Sequence, residues 1–137
     1  KLVSTVIDAS QCPDIIPVIS LVAALAKGRT EIINAGRLRI KECDRLKAVA
    51  TELNKLGAKI VEKEEGLIID GVDELQGGVD VWSWKDHRIA MTLAIASTRC
   101  INPIELTDYD CIAKSYPGFF EDFKMLGGNI DEWGMGQ

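Results

Sequence analysis

Apolar residues spaced three or four positions apart mark an amphipathic helix in the first half of the chain. The helix covers about residues 44–56, and its apolar stripe consists of Leu46, Val49, Ala50, Leu53 and Leu56. This spacing puts the five side chains on one side of an α-helix, the side that packs on a core. Gly57 follows directly and favours the left-handed backbone conformation that ends many helices.

Two other segments are apolar on most sides. One covers about residues 14–27, and the other begins near Asp86 and includes the alanine-rich run 90–96. Helices that are apolar all round are buried, so we expect both to lie inside the molecule, packed against sheets. Short β-type stretches between the helices predict strands near residues 4–8, 31–34, 59–63 and 67–70.

The order of these elements repeats along the chain with a period of about 70 residues. Asp14 and Asp86 each open an apolar helix, and a Leu-Gly pair at 56–57 and again at 126–127 ends an amphipathic one. The second amphipathic helix has Ser115 and Pro117 as start signals and is followed by a further strand. Its apolar stripe is Phe119, Phe120, Phe123 and Leu126.

This pattern predicts an α/β fold of the α+β type, with two pseudo-symmetric βαβαββ units. Unit one covers about residues 1–72 and unit two about residues 73–137. The polar loop before the amphipathic helix carries "RIKECDR" in unit one and "CIAKS" in unit two, so that Lys41 and Lys114 occupy matching places. If the units are related by rotation, these loops and the helix starts lie at one end of the domain.

Composition excludes several classes of function. Sixteen basic residues against twenty-one acidic ones give a net charge of −5, which disfavours nucleic acid as a partner. The four cysteines form no CxxC pair and there is one histidine, so no usual zinc spacing is present. We expect free thiols in a reducing compartment and no membrane span. Because the chain opens at Lys1, a removed targeting segment stays possible.

Charged side chains cluster at the predicted helix starts, where unpaired N–H groups favour carboxylate or phosphate. Arg88 is a cation in a first helical turn, an unfavourable place unless an anion lies between it and the helix. We therefore expect Arg45, Arg88 and Lys114 to converge on one anion.

Each of these residues also has a purely structural interpretation. Asp14 and Asp86 fit N-caps, and His87 fits a satisfied or capping histidine. The charged run at 39–44 fits a solvated loop with ion pairs worth less than about 1 kcal/mol each. Cys43 fits a small buried thiol, and packing accounts for Trp82, Trp84 and Trp133. The patterns alone leave both interpretations open.

Four motifs, in order, resemble the C-terminal part of the 5-enolpyruvylshikimate-3-phosphate synthase family: "DASQCPD", "RLRIKECDRL", "DHRIAM" and "CIAKSYPGFF". The similarity runs from about residue 8 to residue 128. It implies a two-domain enolpyruvyl transferase with three βαβαββ units per domain, of which this chain is a single fragment holding two units of the C-terminal domain. The sibling enzymes that use UDP-N-acetylglucosamine share the fold, but "KECDRL" and "DHRIAM" fit them less well.

The resemblance implies transfer of the enolpyruvyl group of phosphoenolpyruvate to the 5-hydroxyl of shikimate 3-phosphate, with release of phosphate. This reaction belongs to the shikimate pathway to chorismate and the aromatic amino acids, and it uses no metal or organic cofactor. The implied partners are the two substrates and the N-terminal domain, in a cytoplasmic monomer. Without that domain, we expect no turnover.

The implied catalytic residues are Asp14, Lys41 and Glu42. By similarity, Asp14 accepts a proton from the 5-hydroxyl side of shikimate 3-phosphate, and Lys41 hydrogen-bonds the same hydroxyl. Glu42 serves proton transfer at the methylene carbon. Protein groups must do this work in an enzyme without a cofactor.

The implied binding residues hold the charged groups of phosphoenolpyruvate. Arg45 and Arg88 bind its carboxylate or phosphate, since a guanidinium can hold two oxygens at once. Lys114 and His87 lie at the leaving phosphate, while Asp86 orients the loop or caps its helix. The substrate-binding set is thus Asp14, Lys41, Arg45, His87, Arg88 and Lys114.

Two positions depart from the family pattern: Arg37 stands where many relatives carry asparagine, and Cys43 replaces a small hydroxyl residue.

The alternative to an enzyme is a non-catalytic βαβαββ module that binds an anion or a protein.

Overall fold

The computed structural model describes residues 4–125, and all of their side chains except those of Lys114, Ser115, Phe120 and Met125. Eight strands and five α-helices follow one another in this part of the chain. In chain order they are β1 (Ser4–Asp8), α1 (Ile16–Leu25), β2 (Arg29–Ile33), α2 (Arg45–Lys55), β3 (Lys59–Lys63), β4 (Gly66–Asp70), β5 (Leu75–Gly77), β6 (Asp80–Trp82), α3 (His87–Ser97), β7 (Cys100–Asn102), β8 (Glu105–Thr107), α4 (Cys111–Ser115) and α5 (Phe119–Met125).

The first six elements form the expected βαβαββ order around a four-stranded sheet with strand order β1-β2-β4-β3. Strands β1 and β2 are parallel and are joined through α1, while β4 runs antiparallel to both β2 and β3. The predicted bounds of β1 and β3 agree with the structure. Strand β2 begins two residues earlier than predicted and β4 one residue earlier.

The amphipathic helix α2 has the predicted stripe, whose five apolar residues are all at most 4% exposed. Asp44 is its N-cap, with the side chain accepting a hydrogen bond from the Lys47 amide. Gly57 has a φ of 111°, as its place after the helix requires. Helix α1 starts only at Ile16, because Asp14 lies in a short 3-10 turn before it. The N-cap interpretation of Asp14 is therefore wrong.

The three long helices α1, α2 and α3 pack on one another, and α1 and α2 also contact the four-stranded sheet. The apolar helices α1 and α3 are largely buried, as expected. Each nevertheless has an exposed side, on which Val22 is 64% and Ile95 38% exposed. No helix within residues 4–125 is long and apolar enough to cross a membrane.

The strand that precedes α3 is divided into two short pieces, unlike β1 in the first half. Strand β5 pairs with β7 and β6 with β8, both in parallel. The division falls at Gly77 and Gly78, whose φ angles are 68° and 70°. Opposite them is Pro103, which has no N–H for the ladder, and its carbonyl accepts from the Gly78 amide at 3.0 Å.

The expected polar loop "CIAKS" is the short helix α4, so the loop prediction is wrong there. Ile112 points into a small cluster with Ala90, Ala94 and Phe119, and this burial explains the helical turn. The predicted helix stop at 126–127, the strand after it and Trp133 lie outside the described residues. So does the side chain of Phe120.

Candidate active site

Arg45, the first residue of α2, is the centre of a group of charged side chains. Its side chain is 2% exposed, although it carries a full positive charge. Arg45 Nε donates to Asp86 Oδ2 at 2.8 Å and Nη2 to Asp86 Oδ1 at 3.3 Å. Asp14 and Glu42 approach the same guanidinium at 3.2 and 3.1 Å. Three carboxylates therefore surround one buried arginine.

Asp86 is completely buried and also caps helix α3. Its Oδ1 accepts from the Arg88 amide at 2.8 Å, which confirms the N-cap interpretation. Burial by itself disfavours the charged form, but the hydrogen bonds and charge of Arg45 outweigh it and hold the pKa of Asp86 below its ordinary value. In turn, Asp86 first and then Glu42 and Asp14 raise the pKa of Arg45 in spite of its burial. Both groups are ionised at neutral pH.

Asp14 lies between the two arginines of the site and is half exposed. Its carboxylate is 3.2 Å from Arg45 Nη1 and 3.9 Å from Arg88 Nη2. The structure thus brings Arg45 and Arg88 to one anionic group, which is a carboxylate of the chain itself. The Asp14 carboxylate is also the anion beside Arg88, whose positive charge in the first turn of α3 is otherwise unfavourable.

His87 is the first residue of α3 and is 20% exposed. Its Nδ1 lies 3.5 Å from Glu42 Oε2, and the same oxygen contacts Arg45 Nη2 at 3.1 Å. Glu42 therefore links the loop before α2 to the start of α3. With Asp14, it places two partly exposed carboxylates beside the buried Arg45–Asp86 pair, where proton transfer to a bound molecule is chemically feasible.

Two lysines were predicted for the site. Lys41 is exposed and, among the described residues, has no hydrogen-bond or ion-pair partner. It is adjacent in sequence to Glu42 and free to reach a ligand. Lys114 lies in α4, which packs on α3, but its side chain is outside the described part. Arg37 is exposed in the 3-10 turn 36–40.

Cys43 contacts Asp86 from the side of the loop, with Sγ 3.4 Å from Oδ2. Burial, followed by the charge of Asp86, raises the pKa of this thiol to about 12. The thiol is therefore a protonated hydrogen-bond donor, as a hydroxyl at this position also is.

Arg39 has a larger role than the sequence indicated. Its guanidinium donates to the carboxylates of Asp44 and Glu62 and to the carbonyls of Lys63 and Glu64, at 2.7–3.2 Å. These contacts tie the loop that carries Lys41 and Glu42 to the β3–β4 hairpin. No local sequence signal identifies them, because the hairpin acceptors lie more than twenty residues away.

Glu42, Asp86 and His87 are the group of described residues that most resembles a metal site, with ligand atoms within 4.8 Å of one another. The carboxylate of Asp86 is already bound by Arg45, Cys43 and two backbone amides. Binding a cation there would break these bonds. The donor set fits an arginine-centred network better than a metal centre.

The described architecture is that of an enolpyruvyl transferase domain. It matches EPSP synthase from Acinetobacter baumannii with a TM-score of 0.79 and 34% identity, over 84% of this chain and 27% of that one. The enolpyruvyl transferase NikO from Streptomyces tendae shares the fold, with a TM-score of 0.76 at 24% identity, over 93% of this chain and 29% of that one.

The sequence model of EPSP synthase (3-phosphoshikimate 1-carboxyvinyltransferase) matches residues 2–123, and the chain belongs to this family of transferases. It is 74% identical to the 3-phosphoshikimate 1-carboxyvinyltransferase of Clostridium botulinum (strain Eklund 17B / Type B) over all 137 residues, which are 32% of that protein. The Clostridioides difficile (strain 630) protein of the same name is 72% identical over 97% of the chain, which corresponds to 30% of that protein. The chain thus spans about a third of the length of these relatives.

Proposed function

We propose that this chain supplies one side of the active site of a 3-phosphoshikimate 1-carboxyvinyltransferase. The whole enzyme joins phosphoenolpyruvate to the 5-hydroxyl of shikimate 3-phosphate and releases phosphate, as a monomer in the cytoplasm. One observation carries the proposal: six of the residues implied by the family motifs form a single connected network of contacts between 2.8 and 3.9 Å. They are Asp14, Glu42, Arg45, Asp86, His87 and Arg88.

In this proposal, Arg88 and Arg45 bind the carboxylate or phosphate of phosphoenolpyruvate. Arg88 is the more accessible of the two, with 40% of its side chain exposed. An anionic ligand at this place competes with Asp14 for the two guanidinium groups. When Asp14 is released from them, its carboxylate becomes available as a proton acceptor for the 5-hydroxyl, which Lys41 contacts.

The addition step requires a proton at the methylene carbon of phosphoenolpyruvate while the hydroxyl oxygen bonds to its central carbon. Glu42 gives and later removes that proton, and the phosphate leaves from the tetrahedral intermediate as the double bond re-forms. His87, which lies beside Glu42, and Lys114 receive the leaving phosphate. Protonation and charge neutralisation by fixed side chains are the contributions that this reaction needs.

The proposal is tested by an amide chemical-shift titration of the chain with phosphoenolpyruvate, with and without shikimate 3-phosphate. Sulfate serves as the control for general anion binding. We expect shifts near Arg45, Arg88 and Lys114 that exceed those caused by sulfate and that grow when both substrates are present.

Two matched variants sharpen this experiment. Arg88→Gln removes a proposed ligand, whereas Arg29→Gln removes an arginine of similar exposure whose partner is Asp70 at the far end of β4. Only the first is expected to abolish the selective shifts. Equal responses of both variants, or equal responses to sulfate and phosphoenolpyruvate in a folded sample, would count against the proposal and favour a plain anion-binding module.

A further inference from the structure

Besides Asp86, the site region has a second buried carboxylate, Glu52 of helix α2, which contacts the segment that leads into the site. The side chain of Glu52 is 2% exposed and its two oxygens accept three hydrogen bonds. Glu52 Oε1 accepts from the Trp82 amide at 2.9 Å and from Lys55 Nζ at 3.0 Å. Glu52 Oε2 accepts from Trp84 Nε1 at 2.8 Å. Two of the three donors belong to residues 82–86, the segment that runs from the last residue of β6 to the residue before α3.

This segment has an unfavourable backbone conformation. Trp84 and Lys85 have φ angles of 58° and 54°, a region that large side chains rarely occupy and that must be held by surrounding contacts. Ser83 supplies some of them, since its hydroxyl accepts from the Lys85 amide at 3.0 Å and donates to the Asp108 carbonyl at 2.6 Å. Ser83 thus fixes the segment to the residue that follows β8.

Helix α2 holds this segment at two points. Arg45 and Glu52 are seven residues apart, which places them on the same side of the helix and about 10 Å from each other along its axis. Arg45 binds Asp86, and Glu52 binds Trp82 and Trp84. His87 and Arg88 follow Asp86 directly, so their positions depend on how this segment is held.

We propose that Glu52 is a positioning residue: by holding Trp82 and Trp84, its buried carboxylate sets the location of His87 and Arg88 in the site. The inference rests on the anion-binding role proposed above for these two residues. Neither the family motifs nor the spacing of the sequence singled out Glu52.

A glutamine at this position has the same shape but a different hydrogen-bonding capacity. A carboxylate accepts on both oxygens, whereas an amide accepts on one and donates from its nitrogen. Because Trp82 and Trp84 both present N–H donors, Glu52→Gln forces an NH₂ group against one of them. Trp84→Phe removes the indole donor and keeps an aromatic ring, so the double variant Glu52→Gln/Trp84→Phe relieves that conflict.

The experiment compares amide and side-chain spectra of the 137-residue chain with those of the two single variants and the double variant. The chain has one histidine, so the ring signals of His87 are assigned without ambiguity. We expect Glu52→Gln to shift the His87 ring and Arg88 amide signals, and the double variant to return them toward their original positions. Asp70→Asn, the same chemical change at an ion pair in β4, is expected to leave these signals in place.

Binding of phosphoenolpyruvate gives a second measurement. We expect Glu52→Gln to weaken it roughly tenfold or more, since displacing a binding group by about 1 Å costs up to about a hundredfold. A wild-type chain that does not distinguish phosphoenolpyruvate from sulfate would count against the proposed function, but the shifts of His87 and Arg88 would still decide the role of Glu52.

The inference is overturned if Glu52→Gln lowers the melting temperature and leaves the His87 and Arg88 signals unchanged, because Glu52 is then only structural. It is also overturned if adding Trp84→Phe gives no recovery. Should Glu52→Gln fail to fold, Trp84→Phe alone removes one of the two bonds. This variant must then shift the same signals by a smaller amount, and unchanged signals refute the proposal.

Discussion

At the scale of single residues, Asp86 is the group that the buried Arg45 most depends on. Replacing it by asparagine keeps the shape of the side chain and removes the charge that neutralises the guanidinium. Removing one partner of a buried ion pair costs about 3–5 kcal/mol, because the other charge stays buried. We expect Asp86→Asn to lower the free energy of unfolding by this amount in urea at pH 7, and exposed Asp70→Asn to have a much smaller effect.

The same substitution has a pH signature. The pKa of folded Asp86 lies below the ordinary value of 3.8, so the ion pair stabilises the fold above about pH 4. This contribution is lost as the pH falls through the folded-state pKa, where wild-type Asp86 becomes neutral as well. The difference in stability between wild type and Asp86→Asn is therefore expected to shrink below about pH 4. A difference that does not change with pH would contradict the assignment of an ionised Asp86.

Cys43 allows a milder test at the same scale. Its thiol donates to Asp86 Oδ2, and a serine hydroxyl can make the same bond, whereas valine cannot. We expect Cys43→Val to destabilise the fold by about 0.5–1.5 kcal/mol and Cys43→Ser to stay within about 0.5 kcal/mol of wild type. Urea unfolding of both variants measures this. Equal stability of the two would show that the thiol acts only by packing.

At the scale of elements, Gly66 sets how closely β4 approaches β2. A Cβ atom there would lie 1.9 Å from the Ile32 carbonyl oxygen, which belongs to the neighbouring backbone. Gly66→Ala must displace one strand, and we expect it to cost at least about 1–3 kcal/mol. Gly36→Ala is the matched control, because its nearest contact is the Glu65 side chain at 3.4 Å. Thermal unfolding of the two variants measures this difference, and equal melting temperatures would contradict the close approach of β4 to β2.

The sequence predicted those elements whose side-chain pattern is local. The stripe of α2 and the strands β1 and β3 follow from spacing within a few residues. The divided strand β5–β6 and the helix α4 were missed because both depend on partners elsewhere: Pro103 opposite Gly78, and the apolar cluster around Ile112. In the same way, the family motifs named Arg45 and Asp86 individually, but their mutual contact is set by the packing of α2 on α3.

At the scale of the whole molecule, charge balance limits what this chain can do alone. The connected network has three carboxylates. Their negative charge is balanced, but not exceeded, by the positive charges of Arg45, Arg88 and the nearby Lys41. The two proposed substrates carry phosphate and carboxylate groups and require additional positive charge. The proposed sources are Lys114 for part of it and the remaining two thirds of a full-length relative for the rest.

We therefore expect the isolated chain to release no phosphate from phosphoenolpyruvate and shikimate 3-phosphate. A colorimetric phosphate assay with both substrates measures this, and the Lys41→Ala variant gives the background. Phosphate release above that background, dependent on both substrates, would show that the described groups suffice for turnover. The positive control replaces the matching 137 residues of the Clostridium botulinum relative with this chain. Because the added segments are the proposed source of the missing cations, we expect turnover in the chimera and its loss on Lys41→Ala.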